Sequence, residues 1–160
     1  MIVVSDTTPL RYLAVLGLID LLPRLFGRVH CPSAVIQECC HPRAPSALRT
    51  WAEQPSEWLS VIEVPEVAAD LRDVLDEGEA AAITLAQQLQ AEVILIDEKE
   101  GRRCALARGF VTAGTLNILA QAGRRDWLDY YSIIERLKTE TNFRAAQAVT
   151  DSAWAASACA

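Results

Sequence analysis

Four carboxylates stand where a folded chain could put them to use. Asp6 and Asp97 each close a short apolar run, Ile2-Val3-Val4-Ser5 and Val93-Ile94-Leu95-Ile96. A carboxylate at the end of a strand covered on both faces must find a partner or open onto a cleft. Each also has an ordinary reading. Asp97 could cap a helix that starts near Gly101. For Asp6 the capping place is taken by Thr8, which precedes Pro9 as an N-cap precedes a proline at the first helical position. Glu79 ends Asp76-Glu77-Gly78-Glu79, a capping-box pattern in a first turn where the helix dipole favours acids. Yet at about 100° per residue Ala82, Ile83 and Ala86 fall within about 60° of Glu79, so it lies on the apolar side of its helix. Glu38 flanks the stripe of Val35, Ile36 and Cys39, and taken alone it reads as a solvated helix edge.

Clustered together, such acids repel, by about 4 kcal/mol for two charges 4 Å apart at an effective dielectric of 20. A fold keeps the cluster only if a cation neutralises it. Oxygen-only ligands suit Mg²⁺ or Mn²⁺ rather than zinc. Such an ion can turn water into a nucleophile and stabilise a phosphoryl transition state, which makes phosphodiester hydrolysis the natural chemistry.

The elements that must position these acids alternate. Residues 2–5 and 93–96 read as buried strands, rich in Val and Ile and without polar alternation. Residues 28–31, 60–64 and 110–112 are weaker strand candidates. Helical pattern fills the gaps: 9–16, a second helix to Phe26 that contains Pro23, 33–40, 44–52, 77–90, 101–108, 115–122 and 127–140, with an alanine-rich helical tail from Arg144. Strands alternating with helices predict an α/β fold with a parallel sheet. In open sheets of that kind the site lies at the carboxyl ends of the strands, where Asp6 and Asp97 stand.

The chain has 160 residues, 51% of them hydrophobic and 22% charged, with 15 basic and 21 acidic side chains and a net charge of −6. One domain over 1–160 is expected, with a core over about 1–125 and C-terminal helices over about 127–158. The composition excludes disorder and a strongly basic nucleic-acid coat. No targeting segment or membrane span is expected, since the apolar run at 12–19 is far shorter than the roughly 20 residues a span needs. Cys31, Cys39, Cys40, Cys104 and Cys159 show no C-x-x-C spacing and read as small apolar core residues in a reducing cytoplasm. The tryptophans at 51, 58, 127 and 154 read as packing residues.

Four segments together resemble the PIN-domain family. Val3-Val4-Ser5-Asp6-Thr7-Thr8-Pro9-Leu10 is similar to its opening strand and Asp. Pro32-Ser33-Ala34-Val35-Ile36-Gln37-Glu38, Gly78-Glu79-Ala80-Ala81-Ala82-Ile83 and Leu95-Ile96-Asp97 are similar to its second, third and fourth acidic motifs. The 18 positions from Glu79 to Asp97 suit one helix plus one strand. The likeness covers roughly residues 1–125 and is nearest to the ribonuclease toxins of the VapC type. It implies a three-layer α/β/α fold with a central parallel sheet of about five strands. It implies a Mg²⁺- or Mn²⁺-dependent ribonuclease in which Asp6, Glu38, Glu79 and Asp97 hold the metal and Thr7 assists. It also implies a homodimer and a cognate antitoxin protein. The family often has Asp where Glu79 stands, and here Glu98 and Glu100 follow Asp97 as auxiliary candidates.

An RNA substrate needs local positive charge, because phosphate contacts supply most of the affinity. Arg102, Arg103 and Arg108 on the helix after Asp97, and Arg11 on the helix after Asp6, are the candidate contacts. Each has an ordinary alternative as a surface ion pair, Arg103 with Glu100 in particular. Arg124-Arg125 reads as a solvated turn, and the tail from residue 145 reads as a surface for another chain. The competing functional class is a catalytically inactive PIN-like module that binds RNA or a protein through the same face. A phosphotransferase of the haloacid-dehalogenase type ranks low, because position 8 is Thr where that chemistry wants a second acid.

Overall fold

In the computed structural model, which describes residues 1–158, five short strands form one parallel sheet: β1 (Val3–Ser5), β2 (Val29–Pro32), β3 (Leu59–Ile62), β4 (Val93–Leu95) and β5 (Val111–Ala113). Their order is β3-β2-β1-β4-β5, and every neighbouring pair is parallel. All five coincide with runs anticipated from composition, shifted by a residue or two at the ends. The chain winds outward from β1 in one direction to β2 and β3, and in the other to β4 and β5. The reversal leaves a crevice at the carboxyl ends of β1 and β4, where ligands bind in sheets of this topology.

Successive strand residues feed opposite faces. Val3 and Leu95 enter one apolar cluster with helices α1 (Thr7–Leu16), α2 (Leu21–Phe26), α4 (Ser46–Glu53), α8 (Thr115–Arg124) and α9 (Tyr130–Glu140). Val4, Ile94 and Ile96 enter a second cluster with α6 (Glu77–Leu89), α7 (Lys99–Ala107) and the short α5 (Ala69–Arg72). Helices on both faces of one sheet make the three-layer α/β/α fold. Helix α3 (Ser33–Cys39) leaves the end of β2 directly.

Pro23 sits in the first turn of α2, where a backbone N–H has no intrahelical partner to lose. The four-residue α5 has too few positions to show a periodic pattern and was not anticipated.

Two expectations about side chains are corrected. Of the cysteines, Cys31 and Cys39 are buried, but Cys40 is exposed and Cys104 half-buried; Cys159 lies outside the described residues. The tail lies on the chain's own fold. It forms α10 (Gln147–Ser157), which packs on α8. Trp154 stacks on Tyr130 at 5.1 Å, and the Arg124 guanidinium lies 3.7 Å from its ring while donating to its carbonyl oxygen. Arg124 is thereby a packing residue and not a solvated turn. Among the described residues no helix is long and apolar enough to cross a membrane.

Candidate functional site

The backbone brings Asp6 to the crevice. Its N–H donates to the Leu95 carbonyl at 2.9 Å, which carries the extended ladder one residue past β1. The chain then turns straight into α1. The helix starts at Thr7, so Asp6, and not Thr8, holds the N-cap position, and Pro9 falls within the first turn. The Asp6 side chain nevertheless makes no capping hydrogen bond, although only 2% of the residue is exposed. Burial pushes its pKa well up. The Thr7 amide opposes that, while the charges of Asp76, Glu79 and Glu38 add to it.

Gly78, at the start of α6, shows how near these acids come to one another. A Cβ on it would lie 2.7 Å from Glu38 Oε2, 3.4 Å from Asp6 Oδ1 and 3.5 Å from Thr7 Oγ1. Three side-chain oxygens, from α3, from the residue that follows β1 and from the first turn of α1, therefore converge over one glycine. Thr7 Oγ1 donates to Glu38 Oε2 at 2.9 Å and ties two of them together. Glu38 is exposed as a residue, but its carboxylate is turned onto this group at the rim. Desolvation raises its pKa, the Thr7 hydroxyl opposes, Asp76 adds to the rise, and Arg11 counters it.

Glu79 follows on the buried side of α6, as the wheel arithmetic required, with 7% of the residue exposed. Asp76 caps the helix by accepting from the Glu79 N–H at 2.8 Å. Burial, and then the neighbouring Asp76, push the Glu79 carboxyl up to about 7. From the sequence Asp76 reads only as a cap. Its charge also raises Asp6, Glu38 and Glu79, which the capping pattern alone did not signal.

Asp97 is arranged differently. It does not cap the helix that follows it, whose N-cap position is Glu98. Its Oδ1 accepts from the Thr115 N–H at 2.8 Å and its Oδ2 from Thr115 Oγ1 at 2.7 Å, across the sheet at the start of α8. Burial raises its pKa, but both Thr115 donors and Arg102 oppose the rise. A Cβ on Gly114 would lie 2.7 Å from Asp97 Oδ1. Neither Thr115 nor Gly114 was singled out from the sequence, because the bond joins residues 18 apart.

Of the auxiliary acids, Glu98 lines the cleft beside Asp97, whereas Glu100 is held in an exposed ion pair with Arg103 at 2.9 Å. The arginines separate in the same way. Arg102 lines the cleft, and Arg11 lies near enough to Glu38 to counter its charge. Arg103 is committed to Glu100, and Arg108 to Asp70 on α5 and to the Cys104 carbonyl. Those two are ion-paired in this structure, whereas Arg11 and Arg102 form no ion pair among the described residues. Arg144, which no pattern marked, lines the same cleft as Asp97 and Arg102.

Among the described residues, no three His, Cys, Asp or Glu side chains approach closely enough to enclose a metal ion. No Lys or Arg among them forms an ion pair with Asp6, Glu38, Glu79 or Asp97. In kind, the donors over Gly78 suit a hard divalent ion: two carboxylates and a hydroxyl, all oxygen. Mg²⁺ keeps several waters and is often held by only one or two carboxylates. The set therefore fits such an ion without a closed protein cage. The model of the family DUF3368, a PIN domain, matches residues 2–157. No curated protein matches the chain.

Proposed function

The chain belongs to the PIN-domain family, whose members are typically nucleases, and from that premise we propose that it is a metal-dependent endoribonuclease. The observation that carries the reading is the convergence of Asp6, Glu38 and Thr7 oxygens over Gly78, beside Glu79, with no ion-paired cation among the described residues to offset the charge. Asp6 and Glu38 would hold Mg²⁺ or Mn²⁺, with Glu79 completing the shell directly or through water, and Asp97 bordering it from the next strand. The bound ion would supply Lewis-acid charge at the phosphate and a more acidic water. Thr7 orients Glu38 through its hydroxyl. Glu79, on the buried side of α6 beside them, would orient the attacking water. A bound cation would favour the ionised carboxylates that burial alone disfavours.

The reading extends to the toxin half of a toxin–antitoxin pair, a cytoplasmic homodimer with a cognate antitoxin protein. Its support is the likeness of the four acidic motifs to the VapC type. The free thiols of Cys31, Cys39, Cys40 and Cys104 are in keeping with a reducing compartment.

One observation favours a second reading, a PIN-like module that binds RNA or a protein without catalysis: the described acids do not by themselves enclose an ion. Asp6→Asn separates the two. On the first reading the native protein binds Mn²⁺ by titration calorimetry and cleaves RNA, and the variant loses at least about a hundredfold in cleavage rate with its circular dichroism intact. Equal cleavage by both proteins would defeat the assignment. Absence of Mn²⁺ binding at millimolar metal would favour the module.

A further inference from the structure

A cleft of about 550 Å³ starts at Asp97 and Glu98 and runs out between α7, α8 and α10. Its size is within the roughly 300–1,000 Å³ of sites that enclose small ligands, which suits a nucleotide or two and not a duplex. Two of its walls carry arginines from distant parts of the chain, Arg102 on α7 and Arg144 just before α10. Neither has a carboxylate partner among the described residues; Arg144 Nη1 donates only to the adjacent Phe143 carbonyl, at 2.9 Å. Phe143 lines the same cleft, half-buried, its ring packed edge-on with Tyr12 with centroids 5.4 Å apart. The polypeptide brings this wall into place by folding α10 back onto α8 through Trp154, Tyr130 and Arg124.

Two guanidiniums outside any ion pair among the described residues and an aromatic ring, lining one cleft with Asp97, match the chemistry of an unpaired nucleotide. Phosphate takes charge-assisted hydrogen bonds from arginine. An unstacked base finds an apolar ring face, and single-stranded RNA is recognised mainly in this way. Asp97 and Glu98 also line the cleft and repel phosphate, so retention of the nucleotide depends on the two guanidiniums.

We infer that this cleft is a subsite for one unpaired nucleotide flanking the scissile bond, with its base on Phe143 and its phosphate between Arg102 and Arg144. The C-terminal segment is then a wall of the RNA site, and it restricts the substrate to single strands. The inference rests on the ribonuclease reading and adds residues to it.

The test is binding of a fluorescent 2′-O-methyl single-stranded RNA of about eight nucleotides, without divalent ion, followed by anisotropy across a salt series. Arg144→Ala is expected to weaken binding about tenfold and to reduce the salt slope by about 0.7, the value for one lost phosphate contact on a single strand. Arg102→Ala should do the same, and Phe143→Leu should weaken binding while leaving the salt slope unchanged. Arg28→Ala, an exposed change at the amino end of β2 and so at the opposite end of the strands from the crevice, should leave affinity within about twofold. Native-like affinity in both arginine variants, or an equal loss in Arg28→Ala, would overturn the subsite while RNA cleavage by the native protein still upheld the nuclease reading. A native protein that neither binds nor cleaves RNA would remove both.

Discussion

At the start of α6, Gly78 leaves room for Glu38 Oε2, Asp6 Oδ1 and Thr7 Oγ1; at the start of α8, Gly114 leaves room for Asp97 Oδ1. Both regions sit at a helix N-terminus beside the carboxyl end of the sheet, and both are made possible by a glycine. They differ in how the negative charge is met. Asp97 has two donors from one threonine and stabilises the junction of β4 with α8. Asp6, Glu38 and Glu79 are each pushed up by burial and by the charge of Asp76, and Glu79 and Glu38 add to the rise at Asp6. A satisfied buried carboxylate contributes to stability, whereas an uncompensated group destabilises the fold and persists where a ligand supplies the missing charge. The difference teaches that two acids at adjacent strand ends need not share one role.

Removing one acid from each region tests that contrast most strongly. Asp97→Ala strands the Thr115 N–H and hydroxyl, both fully buried, and is expected to cost about 2 kcal/mol, or about 4–8 °C in Tm. Asp6→Ala relieves repulsion and should leave Tm unchanged or raised in metal-free buffer. Equal losses in the two variants, measured by thermal unfolding, would erase the distinction.

Next in size is Gly78→Ala. The new methyl meets Glu38 Oε2 at 2.7 Å, so Glu38 must withdraw from Asp6 and Thr7. Cleavage should fall about tenfold or more, while helix stability gains a few tenths of a kcal/mol from alanine in place of glycine. Activity lost with stability kept would sharpen the reading of this glycine as making room for function.

The smallest effect is in pH. Glu79 titrates near 7 in the folded protein against an ordinary 4.5, so between those values the native state binds more protons than the unfolded chain. Stability is therefore greatest on the acid side and falls as pH rises through about 7. Metal-free protein should lose a few degrees of Tm over that window, and Glu79→Gln should flatten the slope. A native slope of opposite sign would contradict the burial of Glu79 beside Asp76.

Much of this architecture was legible because the signals are local. An unbroken Val/Ile run marks a covered strand wherever it sits, and a wheel places Glu79 inward without knowledge of its neighbours. The strand-closing positions of Asp6 and Asp97 follow from the same runs. What was misread depended on contacts between distant segments. Thr8 was taken for the cap because nothing local shows the Asp6 N–H bonding to Leu95 and extending the strand. Arg108 looked free because Asp70 lies 38 residues away.

The sequence by itself determined the alternation of elements, the inward side of α6 and the four motifs of the family, since each depends on residue type and short spacing. Only the tertiary structure decided which acids remain uncompensated, which arginines keep their charge free, and that the C-terminal helix walls the cleft. Those outcomes depend on distance in space, and the energy of a charge is set by the partners that packing brings within hydrogen-bond reach.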